Sequence, residues 1–330
     1  MGVSDRLPLG VLLDHLLTGA PGTEPLDSVA AAFAAHRRVT ARCADSIDAA
    51  VLGGWAADRL GYAFLAGYQE ALRALLPGLP SAALVSLAAT EAGGAHPAAI
   101  ETALRPDGPG WTVSGTKTFA TLGSEADALV VIASAGPGAD GRNTLRTAMV
   151  DPRGPGVRAE PLPATPFAPE IPHAVLTFTE APAVPLLGDG YADHLKPFRT
   201  FEDAHVLAAT LGLLIRVARD SGWPPATVQR LLGAVAAVRG LGLGRPSGSP
   251  AVPAGPPDPV LAVAKSPAVH IALAGTLDLV DQLLAEIGSL WNSADPAVQE
   301  RWERDRRLLN TAERVRALRT SAAWQAIARR

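Results

Sequence analysis

The chain has 330 residues, 48% of them hydrophobic, 18% charged and only 5% aromatic, with a formal net charge of −3. That apolar content over that length excludes general disorder and supplies ample core for folding without disulfides, a core built mainly from Ala, Leu and Val. No charge excess or clustered basic face points to a nucleic-acid or anionic-lipid partner.

The opening stretch, MGVSDRLPLGVLLDHLLTGAPG, is apolar but interrupted by Asp14 and His15, and it is too short and too polar for a membrane span. A single cysteine, Cys43, excludes an intrachain disulfide; with no basic pattern around it, it is expected to be a small buried residue, and the chain cytoplasmic. Residues 1–80 read as helix. Apolar positions recur at helical spacing over 26–39 and 47–76, with breaks expected at Gly53, Gly54 and Gly61. The pairs Asp27, Ser28 and Asp45, Ser46 are the expected N-cap positions.

After Pro80 the texture changes to short runs of β-formers at 83–88, 111–120, 128–133, 145–150, 156–162 and 174–179, punctuated by PDGPG, AGPGADGRN and DPRGPG. The pattern predicts an antiparallel β-domain. Helix returns at Leu195, with Phe201, Ala204, Ala208, Leu211, Ile215 and Ala218 on one face, Thr200 as N-cap and Asp203 as the capping-box acid. Further helices are expected over 226–239, 259–287 and 297–328, the last burying Trp302, Leu308, Leu309, Val315 and Leu318. Residues 240–259, GLGLGRPSGSPAVPAGPPDP, read as a flexible loop, with Arg245 solvated in it. The predicted fold class is α+β: a helical domain over 1–81, a β-domain over 82–188 and a helical bundle over 189–330.

Several chemistries are absent from the pattern. Gly240, Gly242 and Gly244 follow a helix and run into proline, unlike a dinucleotide fingerprint, and there is no P-loop, H-E-x-x-H or G-x-S-x-G. Glu202 and His205 fit E-x-x-H once; the second match, Glu170 and His173, is flanked by Pro169 and Pro172, which removes a helical di-iron reading. More informative are LAATEAGGAH (87–96) and GWTVSGTKTFATLGSEADALVVIAS (110–134). In the first, a strand end runs into a turn of small residues whose N–H groups are placed to donate to a ligand. In the second, Trp111 and Val113 alternate with polar residues before an expected turn at Ser114 and Gly115, and Phe119 between hydroxyls suits a planar aromatic ligand.

These segments resemble the middle β-domain of the flavin-dependent acyl-CoA dehydrogenase family. The resemblance rests on Thr90-Glu91 with Gly93-Gly94, on Gly115-Thr116-Lys117 with Phe119-Ala120-Thr121, on Ala126-Asp127, and on FTEAPAVPLLGDG at 178–190. It implies an FAD cofactor bordered by Leu87, Ala89, Thr90, Phe119, Ala120 and Thr121, with Phe119 over one ring face and Thr121 near N5. Ala95 and His96 fall where the family contacts the thioester-linked chain, although His96-Pro97 replaces its Gly-Ser-Asp. Phe201-Glu202-Asp203 before an aliphatic run ending at Gly212 places Glu202 where some members carry the catalytic base; the alternative base in a Glu-Gly-Thr has no counterpart. In the first turn of a helix the dipole would lower the pKa of that base.

The implied reaction is α,β-desaturation of an acyl thioester such as an acyl-CoA, by a homo-oligomer (dimer or tetramer). The family's Arg-x-x-Phe-Gly and Phe-Gly-Gly-x-Gly phosphate-side motifs are missing. That leaves two alternatives: a degenerate homologue acting as partner of a complete flavoprotein paralogue, and oxygen chemistry on a small molecule.

Overall fold

A computed structural model describes residues 7–22, 25–41, 43, 45–246 and 258–329; residues 247–257 of the Gly- and Pro-rich loop lie outside them. The chain is mixed helix and sheet, with a central β-region between helical termini. It divides into two compact units: one of Met1–Gly78, Pro166–Glu170 and Thr200–Arg330, the other of Leu79–Thr165 and Ile171–Arg199.

In the helical unit, α1 (Leu9–Thr18), α2 (Val29–Thr40), α3 (Ser46–Ala56) and α4 (Leu60–Leu75) come first. Ser28 caps α2 by accepting from the Ala31 N–H at 3.1 Å, and Asp45 caps α3 by accepting from Ile47 at 2.9 Å. The expected glycine breaks are not breaks. Gly53 and Gly54 lie inside α3 and Gly61 inside α4; the interruption is at Ala57–Arg59 instead. The glycines are there for proximity. A Cβ on Gly54 would lie 1.8 Å from the Ala209 carbonyl oxygen, and one on Gly67 would lie 2.7 Å from the Val206 Cα. Both contacts are with α5 (Lys196–Asp220), which is buried at every position from Asp203 to Ile215. The predicted face of α5 is therefore buried, and so is the rest of its circumference there.

The remaining helices are α6 (Pro225–Gly240), α7 (Pro259–Ala264), α8 (Pro267–Glu286), α9 (Pro296–Asp305) and α10 (Glu313–Ala328). The helix expected over 259–287 is divided because Pro267 cannot donate into the ladder, and the one over 297–328 is divided by a 3-10 turn at Arg306–Asn310. Trp302 is buried and stacks on Trp291 (4.4 Å between ring centroids), which meets Trp223 edge-on at 5.2 Å. Val315 and Leu318, expected in the core, are 37% and 64% exposed. Cys43 is buried, and that burial, with Asp48, Glu70 and Asp45 nearby, pushes its thiol up to about 12. By length and composition Pro267–Ser293, with mean hydropathy 1.4, is apolar enough to cross a membrane; it is α8 and the 3-10 turn after it, packed with α6 and α10.

The β unit carries β1 (Val85–Ala88), β2 (Ala103–Asp107), β3 (Gly110–Thr121), β4 (Ala128–Pro137), β5 (Asn143–Val150), β6 (Val157–Pro161) and β7 (His173–Pro185). Pairing runs β1-β4-β2-β3-β7-β5, with β5 also on β4, so five strands close into a small barrel; β6 adds to β7. The sheet is mixed: β1 and β2 both run parallel to β4, and the other pairs are antiparallel. Its core is Leu104, Val113, Ala120, Leu129, Val131, Ala148, Val150, Ala174, Leu176 and Phe178. The turn expected at Ser114 and Gly115 is a bulge within one continuous strand. The β3–β7 register shifts between Val113 and Gly115, where Gly115 has φ 142° and a Cβ would sit 2.6 Å from Thr102 Cα.

Candidate functional site

The two motif segments meet in the β unit. The Thr118 N–H donates to the Thr90 carbonyl at 2.9 Å, Thr90 forms a bridge with Phe119, and Ser86 Oγ donates to the Thr121 carbonyl at 2.7 Å. Thus Leu87, Ala89 and Thr90 lie beside Phe119, Ala120 and Thr121. Along β3 the pleat sends Ala120 into the barrel core and leaves Phe119 outward and 43% exposed. Ala120 is wholly buried and its carbonyl accepts from the Gly123 N–H at 3.1 Å, so it supports the site from behind and presents no surface to a ligand. Among the described residues no side chain or backbone group partners the Thr90 or Thr121 hydroxyl, and both residues are half-buried.

Phe119 is backed by a residue that sequence reasoning missed. His173, at the start of β7 and in register with Thr121, stacks on the Phe119 ring with centroids 4.2 Å apart. Burial lowers its pKa, so it is a neutral imidazole at neutral pH. A ring backed by a ring, with one partnerless hydroxyl two residues along β3 at Thr121 and another at Thr90, bridged to Phe119, fits a flat heteroaromatic ligand with polar edges. The sequence signal available was the period-two alternation of β7, which puts His173, Val175 and Thr177 on one face.

Beneath this face lies a buried ion pair. Lys117, on β3, is wholly buried, and its ammonium donates to Glu91 Oε1 at 2.6 Å, to the Ile132 carbonyl at 2.6 Å and to the Ala89 carbonyl at 3.3 Å. The Glu91 carboxylate also accepts from the N–H groups of Glu101 (2.8 Å) and Thr102 (3.0 Å). Between these anchors runs the loop carrying Ala95, half-buried, and His96, exposed, whose Nδ1 accepts from the Ala98 N–H. Asn143 fastens the far side of that loop through donations to the Pro97 and Ile100 carbonyls. The Asp127 carboxylate is also structural: it accepts from the Leu84 N–H, fixing the entry to β1.

Glu202 belongs to the other unit. Thr200 does not cap its helix. The cap is Asp189, which accepts from Tyr191 and Ala192 at the head of a π-helical turn, Gly190–Leu195, that runs directly into α5. Thr200 is inside α5 with its hydroxyl 3.3 Å from His270 Nε2, and Asp203 is buried between Arg316 (2.7 Å) and Arg319 (2.5 Å) instead of closing a capping box. Glu202 therefore sits in the second turn, beyond the reach of the N-terminal dipole. It is the one residue between Thr200 and Ile215 that is not buried. Arg245 is not a solvated loop residue: it is buried, donating to the Ala74 carbonyl and paired with Asp258.

Residues 86–181 match the family described as acyl-CoA dehydrogenase, middle domain. The β unit is an acyl-CoA dehydrogenase middle domain, and the chain has that family's fold. Butyryl-CoA dehydrogenase from Megasphaera elsdenii superposes with TM-score 0.59 at 15% identity, over 84% of this chain and 82% of that one. FMN-bound TdsC from Paenibacillus sp. A11-2 gives 0.61 at 14% identity over the same shares, 84% and 82%. The prolyl acyl carrier protein oxidase AnaB gives 0.59 at 14%, over 95% of this chain and 97% of that one. At these identities the likeness to each is one of fold. No curated protein sequence matches the chain. Within the acyl-CoA dehydrogenase middle domain, the matched span covers every strand-borne residue of the candidate ring site, from Leu87 to His173.

Proposed function

We propose that the protein is a flavin-dependent oxidoreductase, with FAD as cofactor, that introduces a Cα=Cβ double bond into an acyl thioester. The observation that carries this reading is the half-exposed Phe119, backed by His173 and flanked by the partnerless Thr90 and Thr121 hydroxyls, in an acyl-CoA dehydrogenase middle domain. A bound flavin would supply the two-electron oxidant, taking hydride from the substrate's β-carbon. Phe119 would cover one ring face, and the Thr90 and Thr121 hydroxyls would hydrogen-bond the ring's polar edge. Leu87 and Ala89 would border it, with Ala120 packed behind the ring site, while Ala95 and His96 would line the path of the thioester. Glu202 would take the α-proton, its placement in the second turn of α5 sparing it the dipole that weakens a carboxylate as a base.

The purified protein is expected to be yellow and to bleach when given an acyl thioester, offered as acyl-CoA in one arm and as a loaded carrier protein in another. Glu202→Gln should slow bleaching by at least about 100-fold, the scale of a lost general base, while the visible spectrum of the oxidised protein stays unchanged. A variant that bleaches at the wild-type rate removes Glu202 from the role.

A second reading is favoured by Arg245, which is buried and paired with Asp258 and so is already engaged within the chain. It makes the chain a homologue that has lost tight flavin binding and partners a complete paralogue. A colourless protein that binds neither FAD nor FMN, and co-purifies with a larger flavoprotein, is its expected signature. We further propose that the chain works as a cytoplasmic homo-oligomer. Leu279 on α8 and Val315, Leu318 and Trp324 on α10 are large apolar side chains left exposed on two helices that pack together. Leu318→Asp should lower the mass measured by light scattering to that of one chain; an unchanged mass removes that face from the interface.

A further inference from the structure

We infer that Lys117 and Glu91 are positioning residues for the candidate ring site, one ion pair that holds the Leu87–Thr90 segment, the Phe119–Thr121 segment and the Ala95–His96 loop in mutual register. The inference rests on the flavin reading above for its ligand, and on the chain alone for its geometry.

The three ammonium protons of Lys117 have three acceptors on two segments: Ala89 and Glu91, in the stretch that follows β1, and Ile132 on β4. Glu91 in turn accepts from Lys117, Thr102 and Glu101, so its carboxylate closes the loop that leaves at Gly93–Gly94 and returns at 101–102. The Glu91 and Gly94 backbones also exchange hydrogen bonds, at 3.0 and 2.8 Å, which fixes where the loop departs. No residue of this assembly points its charge at solvent: Lys117 is 0% and Glu91 8% exposed. A buried pair of this kind contributes little net stability compared with an apolar pair of the same shape, and its best-attested use is to fix one register among several. Here the register that matters is between the residues facing the ring. The Ala89 carbonyl and the Glu91 carboxylate are tied to Lys117, two residues before Phe119, so a slip of β3 against this segment that displaces the ring site also breaks the charge pair.

Burial brings the Lys117 ammonium down to about 8, with the Glu91 hydrogen bond opposing. For Glu91 burial acts to raise the carboxyl, and the Lys117 hydrogen bond with the backbone donors outweighs it, leaving it below its usual range. Glu91 is the one charged group acting on Lys117 among the described residues.

The test uses the full chain with FAD and FMN as probes. Lys117→Met and Glu91→Gln are each expected to weaken flavin binding at least ten-fold, with far-UV circular dichroism unchanged. Wild-type affinity should fall as pH rises through about 8, and Lys117→Met should lack that step. If Lys117→Met does not fold, Glu91→Gln decides alone. Hydrogen exchange is measured in parallel without flavin: the Glu101 and Thr102 amides should exchange at least ten-fold faster in Glu91→Gln than in wild type. Flavin affinities within two-fold of wild type, or unaltered exchange at 101–102, would overturn the inference. Should wild-type protein bind neither flavin, the flavin reading falls, and the exchange result still decides whether the pair holds the loop.

Discussion

Gly54→Ala is expected to destabilise the protein by about 3 kcal/mol or to prevent folding, although alanine is the better helix former by about 1 kcal/mol. The added methyl would sit 1.8 Å from the Ala209 carbonyl oxygen and 2.5 Å from its carbon, and neither is the movable end of a side chain. The same crossing is tight from the other side. A Cβ on Gly212 of α5 would lie 2.0 Å from the Val51 carbonyl and 2.8 Å from the Trp55 nitrogen of α3. Accommodating either methyl means separating two helix backbones along a buried length. Gly233, in α6, is the control: it is exposed and has no atom within 4 Å of a built Cβ. Gly233→Ala should therefore gain roughly 0.5–1 kcal/mol from propensity alone. Urea unfolding of the two variants checks the contrast; equal effects would mean that the α3–α5 spacing is adjustable.

The second large effect is on acid stability. His205, on α5, is fully buried, with Nδ1 donating to the Phe201 carbonyl at 2.7 Å; its Nε2 is therefore the acceptor of the Ser46 hydroxyl at 2.8 Å. Burial brings its pKa down from 6.5 to about 4, with the Phe201 hydrogen bond and the Glu70 charge opposing. The folded state keeps the ring neutral while the unfolded chain protonates it near pH 6.5, so between those values the unfolded chain binds more protons. Stability is then complete above about pH 6.5 and falls as pH drops toward 4, by on the order of 3 kcal/mol. Glu70 works in the same direction at lower pH: despite burial, its His36 hydrogen bond holds its pKa below the usual value, and its contribution is lost as pH falls through that lowered value. The unfolding free energy measured from pH 7 to 4.5 should show this slope, and His205→Gln should flatten it. A variant with the wild-type slope would assign the titration to another group.

The strands were legible because Gly, Pro, Asp and Asn separate them and because alternation survives in β3 and β7. β2 was not, since Ala103–Asp107 buries only Leu104 and carries Pro106 near its end, leaving little alternation to read. The misplaced start of α5 has a similar cause. Thr200 offers a good cap by composition, but the π-helical turn that precedes the helix is set by Asp189 seven residues upstream of Lys196, a distance no capping pattern spans. Val315 and Leu318 follow Trp302 by thirteen and sixteen residues, which puts both on the opposite side of a continuous helix, and the 3-10 turn between α9 and α10 does not bring them back to the buried face. At the candidate site, Phe119, Thr90 and Thr121 came from the motif. His173 and the Lys117–Glu91 contact depend on strand register, which pairs residues 26 to 54 positions apart in the chain and leaves no local trace.

The glycine and alanine crossings of α3, α4 and α5 carry one more implication. Gly and Ala have no rotamers to lose, so ordering this part of the core costs almost no side-chain entropy, and the helices meet main chain to main chain without deformable side chains between them. Large side chains could absorb a displacement by changing rotamer; a carbonyl against a glycine cannot. The stretch of α5 from Val206 to Gly212 is thereby held by main-chain contact, and Glu202, one turn before it, extends from that held segment.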